Sequence, residues 1–250
     1  MSAFPALSEA AGPGRLEPFF QPVARLSDGA LVGFEALARW RRADGSVAEA
    51  SAFLPKGPWT DENAAIGRAV AAEAIDLFTT WRKRAPIQAS LSINIIGADL
   101  LDGTAQRLAA QAALSGLTPG ALIMELTEHH SLGDLARAAD ALSSLRAKGV
   151  KIALDDFGTG HSSLKWLARL PVDAIKIDKS FTQRVVDQGP ERTIIVAMLS
   201  LAREFGLETI AEGIETDAQR SALAARGCDY GQGHYYSVPL PAEEAFALLD

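Results

Sequence analysis

A single cysteine, Cys228, in 250 residues leaves no partner for an intrachain disulfide and no second thiolate for a metal cluster. That excludes a disulfide-stapled secreted scaffold and fits a reducing cytoplasm. Basic residues are also in deficit: 24 Lys and Arg against 31 Asp and Glu give a net charge of −7, the wrong sign for a duplex nucleic-acid partner. Long apolar runs are missing too. The longest, Ile194 to Ala202, is broken by Ser200 and covers about half of the ~20 residues that cross a bilayer, so no membrane insertion by this chain is expected. The opening MSAFPALSEAAGPGR lacks a basic segment followed by an apolar stretch, and residues 1–16 read as a flexible lead-in, not a secretory signal. No internal repeat or low-complexity tract divides the rest.

What is present suffices for one large core, with 48% hydrophobic and 22% charged residues. Over residues 17–250, short apolar runs alternate with helical patterns, the signature of an α/β chain. Strands are expected at Phe19–Arg25, Leu31–Leu37, Ala89–Asn94, Leu122–Leu126, Lys151–Asp155, Ala174–Ile177, Glu208–Ala211 and Asp229–Gly231. Helical spacing is expected over Glu62–Lys83, Thr104–Ser115, Leu132–Lys148, Arg192–Phe205 and Asp217–Arg226. Only Ser27-Asp28-Gly29-Ala30 separates the first two strands, an Asp-Gly turn that makes a hairpin. A parallel pair would need a crossover of a dozen or more residues. The expectation is a TIM-like (β/α)8 barrel with its first strand antiparallel.

Polar residues recur where these strands end: Glu35, Asn94, Glu125, the pair Asp155-Asp156, Lys176, Glu212 and Gln232. In a β/α barrel such ends converge on one face, where active sites are built. A lone carboxylate there is ordinarily a helix cap or a solvated loop residue. Five carboxylates with one lysine are another matter, because like charges in a partly desolvated pocket resist joint ionisation, and cations must compensate them. With no cysteine or histidine in the set, the ligand atoms are oxygens, which suits Mg²⁺ or Mn²⁺ better than zinc or copper. An adjacent Asp-Asp pair could bridge two ions, and two-metal sites hydrolyse phosphate esters.

Together these residues resemble the EAL-domain cyclic di-GMP phosphodiesterases of bacterial signalling. The likeness is carried by Glu35-Ala36-Leu37 with Arg39, preceded by Phe20-Gln21-Pro22, and then by Asn94 in LSIN and Glu125-Leu126-Thr127-Glu128. It continues through Asp155-Asp156-Phe157-Gly158-Thr159-Gly160, Ile175-Lys176-Ile177-Asp178, Ala211-Glu212-Gly213-Ile214-Glu215 and Tyr230-Gly231-Gln232-Gly233. The resemblance implies hydrolysis of cyclic di-GMP to linear pGpG with two ions per site. Glu35, Asn94, Glu125 and Asp155 would hold one ion, and Asp155, Asp156 and Glu212 the other. Glu35, Asp155, Lys176, Glu212 and Gln232 would carry the catalysis, with Lys176 beside the attacking water. Gln21, Arg39 and Asp178 would contact the substrate. Glu128 and Glu215 would anchor the loop after the fifth strand, through which a homodimer or an attached sensor domain could act.

Three departures stand out. The segment Ala52-Phe53-Leu54-Pro55 runs into Lys56-Gly57-Pro58 where the family carries an Ala-Glu. His161 and His234 replace aromatic residues, and Val238 stands where a basic residue is frequent. A catalytically silent cyclic di-GMP receptor, acting through partner contacts, would be marked by a lost ligand residue, and none is lost. A glycosidase using Glu35 and Glu125 would leave Asn94, the Asp pair and Lys176 without roles.

Overall fold

The computed structural model describes residues 12–54, 61–84, 88–127, 132, 134–159, 163–187 and 189–249. Nine strands form one sheet: β1 (Gly14–Arg25), β2 (Leu31–Arg42), β3 (Val47–Glu49), β4 (Ser90–Ile95), β5 (Leu122–Thr127), β6 (Lys151–Phe157), β7 (Ala174–Ile177), β8 (Glu208–Ala211) and β9 (Tyr230–Gln232). Eight of them close a ring in the order β1-β9-β8-β7-β6-β5-β4-β2, with β1 paired back onto β2. Strand β1 runs antiparallel to both neighbours. The other ring contacts, from β2–β4 round to β8–β9, are parallel. This is the TIM-like barrel with a reversed first strand that the short Asp-Gly turn requires.

The turn itself is held by its own polar groups. Asp28 accepts from the Ala30 amide at 3.0 Å and from Arg25 at 2.8 Å, and Gly29 takes the left-handed backbone that the reversal needs. Several boundaries differ from the sequence expectation: β2 runs on past Leu37 to Arg42, β6 runs past Asp155 to Phe157, and β4, β5 and β9 differ by one residue at their ends. Strand β1 begins at Gly14, inside the expected lead-in, because its first residues still pair with Trp40, Arg41 and Arg42 of the hairpin partner. The three-residue β3 is an addition, laid antiparallel on the end of β2 with Ala48 opposite Trp40.

Helices cover the outside. The long ones span Asp61–Arg82, Thr104–Leu114, Leu135–Ala147, Pro190–Phe205 and Asp217–Ala224. Pro190–Phe205 shows why such segments are helical: proline opens it, Ile195, Met198, Leu199 and Ala202 form its buried stripe, and Gly206 closes it in the left-handed conformation. Most of the core lies between these helices and the barrel wall. A smaller cluster of Val23, Ala153, Ala174 and Ile210, flanked by Val32, Ile123 and Tyr230, fills the barrel itself. Among the described residues, no helix is long and apolar enough to cross a membrane.

Candidate active site

Side chains alternate along a strand, so residues two apart share a face. On β2, Glu35, Leu37 and Arg39 therefore line one cleft, while Phe34, Ala36 and Trp40 are buried on the other face. The same step of two lifts Glu125 above Ile123, Asp155 above Ala153, Lys176 above Ala174, Glu212 above Ile210 and Gln232 above Tyr230. Strand β1 runs the opposite way, and Gln21 precedes Val23 to reach the same level. The polar residues thus share the C-terminal mouth, beneath a cleft of about 470 Å³.

Lys176 is the centre of this mouth, with 1% of its surface exposed. Its Nζ lies 2.6 Å from Glu125, 2.6 Å from Glu212, 3.1 Å from Asp155 and 3.3 Å from Glu35. The amides complete the floor. Asn94 Nδ2 donates to Glu35 at 3.0 Å, and Gln232 Nε2 donates to Glu35 at 2.7 Å and to Gln21 at 2.8 Å. Gln21 Nε2 in turn donates to the Ser237 carbonyl at 3.1 Å.

One ammonium does not neutralise this many carboxylates. Burial pushes Glu125 well above the usual carboxylate range, and the charges of Glu35 and Asp155 push the same way against Lys176. Burial likewise pushes Glu212 up to about 8, with Lys176 opposing and Asp155 and Glu35 reinforcing. Burial also acts against ionisation of Glu35, but Lys176, Gln232 and Asn94 together outweigh it and hold this carboxylate below its ordinary value. Burial would discharge Lys176, yet the surrounding carboxylates raise it well above the ordinary lysine range.

The residues fit a hard divalent cation. Asp155, Asp156 and Glu212 can each offer one carboxylate oxygen, the three lying within 4.8 Å of one another. Gln232 Oε1 is buried with no hydrogen-bond partner among the described residues, an acceptor left over at an all-oxygen site. Asp156 reaches its place through a left-handed backbone with φ 54°, the one such non-glycine among the described residues. Its amide donates to Asp155 Oδ1 at 3.0 Å, and its carbonyl accepts from the Thr159 amide and hydroxyl at 3.1 and 2.9 Å. Gly158 then lies against Met198 and Phe181 so closely that a Cβ there would collide with the Met198 methyl.

Other expected site residues fall differently. Arg39 lines the cleft wall, where one guanidinium nitrogen donates to the Ala38 carbonyl at 2.9 Å. Asp178 is spent on structure, accepting from the Ser180 amide at 2.9 Å as the N-cap of Lys179–Thr182, and is not among the cleft residues. Glu215 is exposed at the cleft edge, accepting from Gln183 at 3.5 Å. Glu128, His161 and Lys56-Gly57-Pro58 lie outside the described residues. His234 lines the cleft, and Val238 is exposed beyond it. The cleft also contains Glu49, Lys179 and Gln183, which sequence reasoning passes over. For Lys179 a signal existed, since it follows a strand end by two residues.

The EAL domain family profile matches residues 5–239. The chain belongs to the EAL-domain family. The bifunctional diguanylate cyclase/cyclic di-GMP phosphodiesterase MucR of Pseudomonas aeruginosa is 33% identical to this EAL domain, over 92% of this chain and 34% of MucR. The probable cyclic di-GMP phosphodiesterase PdeB of Escherichia coli is 35% identical, over 90% of this chain and 43% of PdeB. The chain thus spans well under half the length of these relatives. The solved MucR phosphodiesterase in complex with cyclic di-GMP superposes with a TM-score of 0.83 at 32% identity, covering 92% of this chain and 94% of that one. The EAL domain of Mycobacterium smegmatis DcpA gives a TM-score of 0.77 at 30% identity, covering 93% and 94%.

Proposed function

We propose that this EAL domain hydrolyses cyclic di-GMP to linear pGpG with the help of two divalent cations, Mg²⁺ or Mn²⁺. The observation that carries the reading is the charge imbalance at the barrel mouth, where the carboxylates of Glu35, Glu125, Asp155 and Glu212 surround the single ammonium of Lys176. Glu35, Asn94, Glu125 and Asp155 would hold one ion, and Asp155, Asp156 and Glu212 the other. When bound, such ions polarise phosphoryl oxygens and make water acidic enough to attack at neutral pH.

In the reaction, water adds to phosphorus and one P–O ester bond breaks, leaving a phosphomonoester and a hydroxyl. Lys176, fixed by Glu125 and Glu212, puts a positive charge in the floor where negative charge develops, at a site already desolvated. Gln232, oriented by its bonds to Glu35 and Gln21, presents its oxygen as an acceptor for water. Arg39 can grip a phosphate through two parallel hydrogen bonds, with Gln21 beside it on β1. The volume of the cleft is that of a small-molecule site. Control by a second copy or an attached sensor domain would act through the Asp156–Gly158 turn, which rests on Met198 and Phe181. The buried free thiol of Cys228 suits a reducing, cytoplasmic setting.

The test is incubation of the purified chain with cyclic di-GMP and Mg²⁺ or Mn²⁺, with the products separated by chromatography. Linear pGpG is expected to appear and to be abolished by excess chelator. Nucleotide that binds but stays intact would make the domain a receptor instead.

A further inference from the structure

The cleft carries cations on two opposite walls, and the reaction above uses only one. Arg39 belongs to β2, and Lys179 follows β7 by two residues. In the closed ring, β2 and β7 are separated by β1, β9 and β8 on one side and by β4, β5 and β6 on the other. The two strands are diametrically opposed, and both cations line the same cleft.

Lys179 is also placed and unengaged. Asp178 caps the short helix that Lys179 opens, which fixes the start of the side chain. Its stem lies over Gly213, where an added Cβ would come within 2.5 Å of Lys179 Cβ and where φ is 67°. Among the described residues, the lysine ion pairs belong to Lys151 and Lys176 and none to Lys179. The nearby cleft carboxylate Glu215 accepts from Gln183. An exposed ammonium at the edge of an acidic cleft, without a carboxylate partner, is available to an anionic ligand.

A cyclic dinucleotide has two phosphodiester groups on opposite sides of its ring, of which one is cleaved at a time. We infer that Lys179 binds the phosphodiester group that is not being cleaved, and thereby favours a two-phosphate ring over a substrate with a single phosphodiester. This rests on the cyclic di-GMP reading above and adds a second anchoring point to it.

The test compares wild type, Lys179→Met and Lys179→Arg on two substrates, cyclic di-GMP and bis(p-nitrophenyl) phosphate, which has one phosphodiester. Methionine keeps the length of the stem and removes the charge. Loss of one charge-assisted contact is expected to raise KM for cyclic di-GMP about tenfold in Lys179→Met, with kcat within about twofold of wild type. Arginine should restore most of the affinity, and turnover of bis(p-nitrophenyl) phosphate should be the same in all three. An unchanged KM, or equal impairment on both substrates, would overturn the inference while leaving the phosphodiesterase reading in place. Wild type that neither binds nor cleaves cyclic di-GMP would overturn that reading and this one with it.

Discussion

The barrel interior has two layers made by the same strands, and they are opposites. The lower layer holds Val23, Ala153, Ala174 and Ile210, packed with Val32, Ile123 and Tyr230. Toward the mouth, two residues further on β5 to β9 and three on β2 past the irregularity at Val32, the upper layer holds the buried Glu35, Glu125, Asp155, Lys176 and Gln232 and the partly buried Glu212, and it is mostly charged. Burying aliphatic side chains stabilises a fold, whereas burying carboxylates around one ammonium costs stability unless more cations arrive. One pleat therefore divides the barrel into a half that holds it together and a half that its chemistry requires.

The largest effect that would sharpen this contrast is on turnover. Glu35→Ala and Asp155→Ala should each lower cyclic di-GMP hydrolysis by at least ~10³-fold, the loss of a transition-state charge partner worth several kcal/mol. Circular dichroism should remain native, because removing one carboxylate also relieves repulsion. Retention of more than about a tenth of the activity in either variant would remove that residue from the ion site.

The lower layer should respond in the opposite way. Ile210→Ala leaves a cavity in an apolar cluster and should cost about 2–4 kcal/mol in urea unfolding, with kcat per folded molecule changed by less than about threefold. A catalytic loss larger than the stability loss would break the division between the layers.

A third consequence concerns pH. With Glu212 pushed up to about 8, the metal-free folded state keeps a proton that the unfolded chain releases near the ordinary carboxylate value. Between those values the folded state binds more protons, so stability falls as pH rises. Glu125 shifts in the same direction. Lys176, raised above its ordinary value, contributes stability that is lost only in more alkaline solution than this interval. The melting temperature of chelated protein should therefore fall from about pH 5 to about pH 8, and Mg²⁺ or Mn²⁺ should restore more of it at the higher pH. A rise over this interval without metal would contradict the charge imbalance.

The smallest effect is at the rim. Arg39→Lys keeps the charge but loses the planar fork, and should raise KM about tenfold with little change in kcat. An unaltered KM would take Arg39 out of substrate binding.

How legible the molecule is from sequence varies with distance along the chain. Ala174–Ile177 and Glu208–Ala211 coincide with strands β7 and β8, since each is a short stretch with β-branched residues, Ile175 and Ile177 in one and Thr209 and Ile210 in the other, set between helix-length patterns. Strand β3 is not legible, because Val47-Ala48-Glu49 is too short to show a period; it is a strand because Ala48 packs beneath Trp40. The extension of β1 back to Gly14 escapes for a similar reason, being set by the length of its partner. The mouth residues are visible as polar endings of apolar runs, but the hydrogen bond from Gln232 to Gln21, 211 residues apart, depends on closure of the ring. Asp178 shows the converse: a motif residue whose carboxylate is taken up by a helix cap. Lys179 is passed over in the sequence because only the opposition of β2 and β7 in the closed ring puts it across the cleft from Arg39.

The central claim, that the upper layer is completed by divalent cations while the lower layer is complete in itself, is tested most directly by Mn²⁺ titration followed by electron paramagnetic resonance. Wild type, Ile210→Ala and Asp155→Ala would be compared in the presence of a non-hydrolysable cyclic dinucleotide. The account predicts saturable uptake of two ions per chain by wild type and Ile210→Ala, and loss of that uptake at the same concentrations in Asp155→Ala. Wild type that takes up no Mn²⁺ saturably, or Asp155→Ala that binds it as wild type does, would contradict the account.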